Sequence, residues 1–400
     1  MAEGIFKYII AGGGLTGASA IKGIRSVDKE GSILLVGKES HLPYDRPPLT
    51  KKLWFGKKKL EEIFLEGRDF YEKNNVSLRL GFGAVSLRAG EKRLIDGGGK
   101  SYRYEKLLLA TGGFPNRLPI PGGDAEGICY YRYFDDYVRL RAEAEEGRSA
   151  VVIGGGFIGS EIAAALCINK VKVTMVFPSG YIAERVFPES LGLHLQNHFT
   201  ERGVRIISGT RPLSIKKKGN RFITVTDRGE FESDILIAGI GITPATSLAE
   251  GAGLRTGNGI IVDDFLRTSH PDIYAAGDNA LFHYQALDKM ARVEHWENAL
   301  KGGAQAGRNM AGANEPYKHM PYFFSDLFEF GYEAVGEVSS GLKTFADWQK
   351  ENDTGVIYYL KDSKVRGVML CNVWEKVDEA REIIRSQAAF TPQKLNGTIR

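Results

Sequence analysis

The sequence predicts an α/β fold of two doubly wound units followed by a C-terminal α+β region. Three observations predict it. Residues 8–20 read YIIAGGGLTGASA: an apolar run, then Gly12-x-Gly14-x-x-Gly17, then small residues suited to a helix. Residues 150–165, AVVIGGGFIGSEIAAA, repeat the arrangement with Gly154-x-Gly156-x-x-Gly159. From Pro321 onward the texture changes to aromatics and alternating antiparallel patterns. A buried strand running through such glycines into a helix is the mark of a Rossmann-like, dinucleotide-binding unit. The first glycine makes the tight turn. The second lets a pyrophosphate approach the backbone, and the third lets helix and strand pack closely. The helix N-terminus then offers unpaired N–H groups and a positive dipole end to the phosphates. One such loop is a weak signal, shared by merely structural turns. Two in one chain imply two dinucleotides, and that combination points to a flavin plus a nicotinamide.

Composition narrows the class. A chain of 400 residues suggests two or three domains. Its 49 glycines accompany a normal apolar content, so they fit many α/β turns better than disorder. A net charge of +4 is small for this length and implies no nucleic acid. No run of about 18 apolar residues exists, so no membrane span is expected. The first strand begins almost at once, which leaves no room for a signal peptide and makes the cytoplasm the expected location. Cys129, Cys167 and Cys371 stand far apart without a C-x-x-C spacing, so a redox-active disulphide is not expected. Cys167 reads as a small core residue of an apolar helix. His194 and His198 lie four apart but lack the Glu of an H-E-x-x-H motif and a third ligand, so no metal site is assigned.

The elements follow in order. Residues 32–36 read as the second parallel strand. In such a unit a carboxylate about 20 residues beyond the glycines holds the adenosine ribose, and Glu39 is the carboxylate available. Residues 41–55, HLPYDRPPLTKKLWF, come next. Pro43, Pro47 and Pro48 fix an extended backbone before a short helix can start near Leu49. Arg46 and Lys51 in this rigid basic loop are candidates to face a pyrophosphate or an isoalloxazine ring. Lys57, Lys58 and Lys59 read either as a solvated face or as a docking site for an acidic partner. Residues 76–81 and 106–112 read as strands flanking a hairpin region turned at Gly97-Gly98-Gly99. The strand at 107–113 ends in small residues, which lets backbone come near a bound cofactor. Prolines and glycines at 115–123 mark a linker, with a domain boundary near Leu118.

In the second unit, residues 171–177 form the second strand. It ends in Phe177-Pro178-Ser179-Gly180, without the acid that an NAD unit commonly shows there. Residues 223–226 and 231–240 read as a sheet edge and a buried strand, and 241–244 as a second linker. Residues 273–280 form a short strand into Gly277-Asp278, whose carboxylate is well placed for a ribityl hydroxyl. Residues 292–307 open a helix expected to cover the flavin, with His295 and Trp296 at its start. Residues 332–338, 355–361 and 366–371 alternate like strands of one sheet. Residues 378–386 form a closing amphipathic helix, and 391–400 a frayed tail.

The stretches PYDRPPLTKKLWF, ATGG, GGGFIGSE, AAGD and RVEHWENA carry a family resemblance. Through Ser386 the chain resembles the flavin-dependent pyridine-nucleotide reductases of the glutathione-reductase fold. Within them it is similar to ferredoxin reductases of oxygenase systems and to apoptosis-inducing-factor-like flavoproteins. PYDRPPL and RVEHW are specific to this branch, whereas the glycine loops are not. Phe177-Pro178, residues 324–327 and residues 332–334 resemble the apoptosis-inducing factor side.

The resemblance implies FAD and NAD(P)H as cofactors. By position it assigns Gly12, Gly14, Gly17 and Glu39 to the FAD adenosine and pyrophosphate. Arg46 and Lys51 would contact pyrophosphate and flavin. Thr111 and Gly112 would line the flavin site, and Gly277-Asp278 would reach the ribityl chain. Gly154, Gly156, Phe157, Gly159 and Glu161 would form the NAD(P)H site. Glu294, His295 and Trp296 would flank the ring, and Phe324 would sit over the nicotinamide pocket. Lys51 and Glu161 would form an ion pair beside the flavin N5, where a fixed ammonium stabilises the negative charge that hydride arrival brings. This chain also departs from its relatives. Lys38 stands where they carry the ribose-binding acid, Phe177 and Ser179 stand where many carry Glu, and the redox cysteine of disulphide reductases is absent. Weak coenzyme discrimination with NADH modestly preferred is the expectation.

The expected organisation is an FAD domain of residues 1–118 and 244–320, an NAD(P)H domain of 119–243, and a C-terminal α+β domain of 321–400 closing over the flavin. The expected reaction passes a hydride from NADH to FAD and then electrons to a ferredoxin-like protein, a quinone or oxygen. A homodimer is among the assemblies left open. A second reading belongs to another class: a redox sensor whose NADH-reduced charge-transfer state controls association rather than turnover.

Overall fold

The computed structural model describes residues 4–399, which divide into two compact units. The first takes in the chain up to Asp45, Glu61–Phe114 and Thr243–Phe323. The second takes in Arg46–Leu60, Pro115–Ile242 and the chain from Phe324 on.

The first unit is built on a parallel sheet. Gly4–Ala11 lies between Ile33–Val36 and Ser101–Leu109, with Ile10 opposite Leu35 on one side and Leu108 on the other. Val76–Arg79 extends one edge, and Ile273–Ala275 pairs parallel with the C-terminal half of Ser101–Leu109. The N-terminal half of that long strand pairs instead with Arg93–Asp96 in an antiparallel extension. Residues 8–11, Ile33–Val36 and residues 107–109, the parts of these strands beneath the helices, are apolar and buried on both faces, as a sheet covered by helices requires.

Two helices of this unit, Leu15–Val27 and Trp296–Met310, meet backbone to backbone. A Cβ on Gly23 would stand 2.1 Å from the Ala304 carbonyl oxygen. One on Gly303 would stand 2.3 Å from that of Thr16, and one on Gly307 2.2 Å from that of Ala20. The alternation of small residues in GLTGASAIKG and KGGAQAG is therefore a packing code.

The second unit repeats the parallel core with strand order Arg205–Ile207, Lys172–Val176, Ser149–Ile153, Ile235–Ala238. A three-stranded antiparallel sheet, Pro212–Lys218, Arg221–Thr226 and Gly229–Ser233, accompanies it. The run expected as one strand over 231–240 is thus two strands. The break is at Asp234, whose N–H donates to the Ser149 carbonyl at 3.0 Å while its Oδ2 accepts from the Ser149 N–H and hydroxyl. The proline-rich stretch after Pro115 is packed rather than loose. Leu118 lies in the core with Val151, Ile215 and Phe222, and a Cβ on Gly122 would stand 2.0 Å from the Ile215 carbonyl.

The same unit holds a five-stranded antiparallel sheet in the order Tyr322–Leu327, Phe330–Gly336, Lys364–Cys371, Thr354–Lys361, Lys343–Lys350. Aromatic edges join it to the nucleotide-type core. Phe187 meets Tyr332 at 5.3 Å and Phe199 meets Phe328 at 4.9 Å, both edge to face. The helix Val377–Ser386 buries Ala380 and Ile384 on this sheet. The tail expected to fray does not. It forms a short helix, Pro392–Leu395, buries Leu395 and Ile399, and is held by the Gly397 N–H donating to Asp347 at 2.6 Å. Arg400 lies outside the described residues, as do residues 1–3.

The helix pair gives a direct stability prediction. Gly303→Ala forces a methyl against main chain that cannot yield and should lower the unfolding free energy by about 3 kcal/mol. Gly302→Ala, whose nearest neighbour would be 3.7 Å away, should be neutral or gain up to about 1 kcal/mol of helix propensity. Urea unfolding of the two variants checks the contrast.

Candidate active site

Each glycine loop is a place where main chain meets main chain. Gly12 has φ +140°, and a Cβ on it would stand 2.0 Å from the Ala110 carbonyl oxygen. A Cβ on Gly17 would stand 2.2 Å from the Gly12 carbonyl. Gly14 differs: nothing lies within 4 Å of its Cβ position, and no side chain caps the helix that begins after it. The second loop repeats this. Gly154 and Gly159 meet the carbonyls of Gly239 and Gly154 at 2.3 and 2.1 Å, while Gly156 faces open space at an uncapped helix start. In both loops the outer glycines are dictated by packing. The middle glycine is dictated by nothing inside the protein, and it stands where an anion binds a helix N-terminus.

Around the first loop, the first unit gathers its other candidates. Gly277, at φ +82°, abuts the Thr16 hydroxyl, which ties the turn before Asp278 to the glycine-loop helix. Thr111 donates to the Ala245 carbonyl at 2.8 Å and accepts from the Asn279 amide at 2.9 Å. Asn279 also donates to the Leu109 carbonyl, yet its own buried carbonyl oxygen finds no partner among the described residues. Gly112, at φ +66°, accepts the Ala245 N–H at 2.9 Å. Glu39 is half-buried and accepts the Tyr44 hydroxyl at 2.7 Å, while Lys38 points its ammonium over Phe114.

The start of the long helix is pinned in the same unit. Arg292 pairs with Glu294 and donates to the Asp278 carbonyl at 3.2 Å. Trp296 donates its indole N–H to Asp45 at 2.7 Å. His295 stacks on Phe323 with centroids 4.2 Å apart and planes 18° from parallel. Burial pushes its imidazole down to about 4, so it is a neutral ring at working pH.

The second unit builds a different centre. Thr50, Lys51, Glu161 and Ser325 are 5, 6, 5 and 2 % exposed. The Lys51 ammonium lies 2.7 Å from Glu161 Oε1. Ser325 donates its hydroxyl to the same oxygen at 2.6 Å, and Thr50 donates to Oε2 at 2.5 Å. The ammonium also stands 5.2 Å above the Phe324 ring. Pro47 and Pro48 start the short 3₁₀ turn Pro47–Thr50 that sets Thr50 and Lys51 in place. Glu161 is the fifth residue of the glycine-loop helix Phe157–Ile168. Phe157 begins that helix half-buried, and Arg46 lies over Tyr133 at 5.7 Å. Phe177, where an acid would read the ribose, is fully buried. Its ring lies against Gly155, whose Cβ position is 2.8 Å away.

Sequence reading does not single out Thr50, Ser325 or Asn279. The available signal is adjacency: each neighbours a residue that was singled out, Lys51, Phe324 and Asp278. Among the described residues no helix is long and apolar enough to cross a membrane. Nor is any group of three His, Cys, Asp or Glu side chains arranged to hold a metal. His198 faces Glu329 at 3.3 Å instead.

Comparison with known proteins adds to this geometry. The family model described as pyridine nucleotide-disulphide oxidoreductase matches residues 6–303. The model for the C-terminal part of mitochondrion-associated apoptosis-inducing factor matches residues 306–354 and 346–386. The chain is 33 % identical over 416 residues to the mitochondrial apoptosis-inducing factor 1 of Dictyostelium discoideum, covering 95 % of this chain and 78 % of that one. It is 32 % identical to the ferredoxin–NAD(+) reductase component of the Burkholderia cepacia anthranilate 1,2-dioxygenase system, covering 97 % and 96 % of the two. Among solved structures it is similar to the covalent putidaredoxin reductase–putidaredoxin complex, with TM-score 0.90, 30 % identity and 97 % and 95 % coverage.

The thiols matter against that background. All three cysteines are free. Burial pushes Cys129 up to about 12 and raises Cys371 as well. Cys167 is not the core residue its helix suggested. It is half-buried in the last helical turn and lies 3.1 Å from the Arg202 carbonyl, with its thiol also raised. None is poised as a thiolate nucleophile. Replacing all three with Ser or Ala should leave pyridine-nucleotide-dependent dye reduction largely intact. A loss of more than about a hundredfold in a folded variant, ~2.7 kcal/mol of barrier, would reveal a redox thiol.

Proposed function

The chain belongs to the pyridine nucleotide-disulphide oxidoreductase family, and from that premise we propose that it draws electrons from NADH and delivers them to a ferredoxin-like protein. It is an FAD-dependent NAD(P)H oxidoreductase. The observation that carries the reading is the doubled glycine loop, each with an open middle glycine at an uncapped helix start. The first unit fits FAD. Gly14 leaves room for a pyrophosphate, and the buried Asn279 oxygen lacks a partner that a hydroxylated ligand or its water could provide. Bound FAD supplies a hydride acceptor that can release electrons one at a time.

The chain's own residues position and tune. In this reading Gly12, Gly14 and Gly17 hold the FAD pyrophosphate with help from Arg46, and Glu39 serves the adenosine. Thr111, Gly112, Gly277 and Asp278 take the flavin and ribityl end. Glu294, neutral His295 and Trp296 wall the ring. Gly154, Gly156 and Gly159 take NADH, with Phe157 and Phe324 against its nicotinamide. Lys51, held by Glu161, supplies the fixed positive charge that reduction of the ring calls for. Discrimination between NADH and NADPH is weak, since Phe177 offers neither acid nor base to the ribose, and NADH is modestly preferred on family grounds. The proposed domains are 1–118 with 244–320 for FAD, 119–243 for NAD(P)H, and 321–400 at the C-terminus. A cytoplasmic location completes the proposal.

The C-terminal match to apoptosis-inducing factor favours a second reading, in which the NADH-reduced state governs association and turnover is incidental. Mixing the protein with NADH and a ferredoxin separates the two. Fast turnover supports the reductase, and a reduced coloured state outlasting many minutes supports the sensor.

The glycine assignment has its own test. Because open space surrounds Gly14 and Gly156, valine at either should fold. Gly14→Val should purify colourless. Gly156→Val should purify yellow, be reduced by dithionite, and resist NADH. Normal flavin content in the first, or normal NADH reduction in the second, contradicts the assignment.

A further inference from the structure

Three side chains, those of Thr50, Lys51 and Ser325, meet at Glu161, and with Phe324 they come as two consecutive pairs. Thr50 and Lys51 arrive from the proline-rich loop, and Phe324 and Ser325 from the first strand of the antiparallel sheet. In each pair one member donates a hydroxyl to the carboxylate, while the other is the ammonium or the ring that faces it. The Thr50 and Ser325 hydroxyls donate to Glu161 at 2.5 and 2.6 Å. Lys51 contributes the ammonium, and the Phe324 ring lies 5.2 Å beneath it.

We propose that Thr50 and Ser325 are positioning residues, whose hydroxyls lock the Glu161 carboxylate and through it aim the Lys51 ammonium.

The geometry requires such a lock. A glutamate on a helix and a lysine on a loop are both long, rotamer-rich side chains. A single 2.7 Å contact leaves the carboxylate able to turn about its last bond and the ammonium able to follow. Donors on both oxygens remove that freedom. Oε2 is held by Thr50, and Oε1 is shared by Lys51 and Ser325. The donors come from separate segments, so the carboxylate plane is fixed from two directions. Thr50 has a second acceptor near, the Pro47 carbonyl at 3.3 Å, but its one hydroxyl proton goes to the shorter, charge-assisted bond. The hydroxyls add no charge. Their contribution is to geometry and to satisfying a buried carboxylate.

This inference rests on the reading that Lys51 stabilises the reduced flavin, and the test separates the two. The flavin midpoint potential and the stopped-flow rate of reduction by NADH are measured in FAD-loaded Thr50→Val, Ser325→Ala, the double variant, Thr50→Ser and Glu161→Gln. Thr50→Val keeps the shape of the side chain and removes its hydroxyl, so it should fold even if Ser325→Ala does not. Each hydroxyl loss should slow reduction severalfold. The double variant should lose about tenfold in stabilisation of the reduced state, a fall of ~30 mV for a two-electron couple. Thr50→Ser, which retains the hydroxyl, should match wild type. If Glu161→Gln shifts the potential while the hydroxyl variants do not, the positioning role is overturned. If Glu161→Gln leaves potential and rate unchanged too, the reading of the ion pair falls with it.

Discussion

A buried ion pair constrains one half of this molecule. Taking an ammonium and a carboxylate out of water costs several kcal/mol per ion, and their attraction repays it only with good geometry and further hydrogen bonds. Here the Lys51–Glu161 contact is accompanied by two hydroxyl donors and an aromatic face. Those groups come from three stretches of chain far apart in sequence. The pair therefore joins the proline-rich loop, the glycine-loop helix and the antiparallel sheet into one compact unit. Losing either ion would strand the other in a dry site, a larger penalty than the pair's own net worth. A function for such a pair is the simplest reason to keep it. In the proposed reductase that function is a charge held still before the electrons arrive.

Glycine does the corresponding job for the two nucleotide-type cores. The outer glycines are demanded by carbonyl oxygens at 2.0–2.3 Å from the missing Cβ, and the helix pair of the first unit by contacts of the same kind. These positions are structural. Gly14 and Gly156 are not, because nothing in the protein crowds them. The distinction, which the motif already implies, separates glycines that make the fold from glycines that nothing inside the protein requires, and the proposed function reads the latter as room for a ligand.

Much of the architecture is legible in the sequence because it is local. The apolar runs at 8–11 and 171–177 become central strands, and the small-residue segments after each glycine loop become helices. What is not legible depends on distant partners. Asp234 breaks a strand because Ser149 lies beside it. The tail is ordered because Leu395, Ile399 and Gly397 find the sheet edge carrying Asp347. The strand Lys343–Lys350 escapes notice since its side chains are half-buried and mixed in polarity. At the centre of the second unit the Lys51–Glu161 pair could be anticipated from convergence and resemblance. Thr50 and Ser325 could not, for a lone hydroxyl beside a marked residue carries no pattern of its own. The pair's place beside a flavin belongs to the proposed function.

Flavin potentiometry on Lys51→Ala tests the central claim most directly, with stopped-flow reduction by NADH on the same protein. The account expects FAD to stay bound. It expects reduction to slow by about a hundredfold, ~2.7 kcal/mol of barrier, and the midpoint potential to fall by tens of millivolts. A variant that binds FAD, folds, and keeps the wild-type rate and potential would show that the buried ammonium does nothing for the electrons.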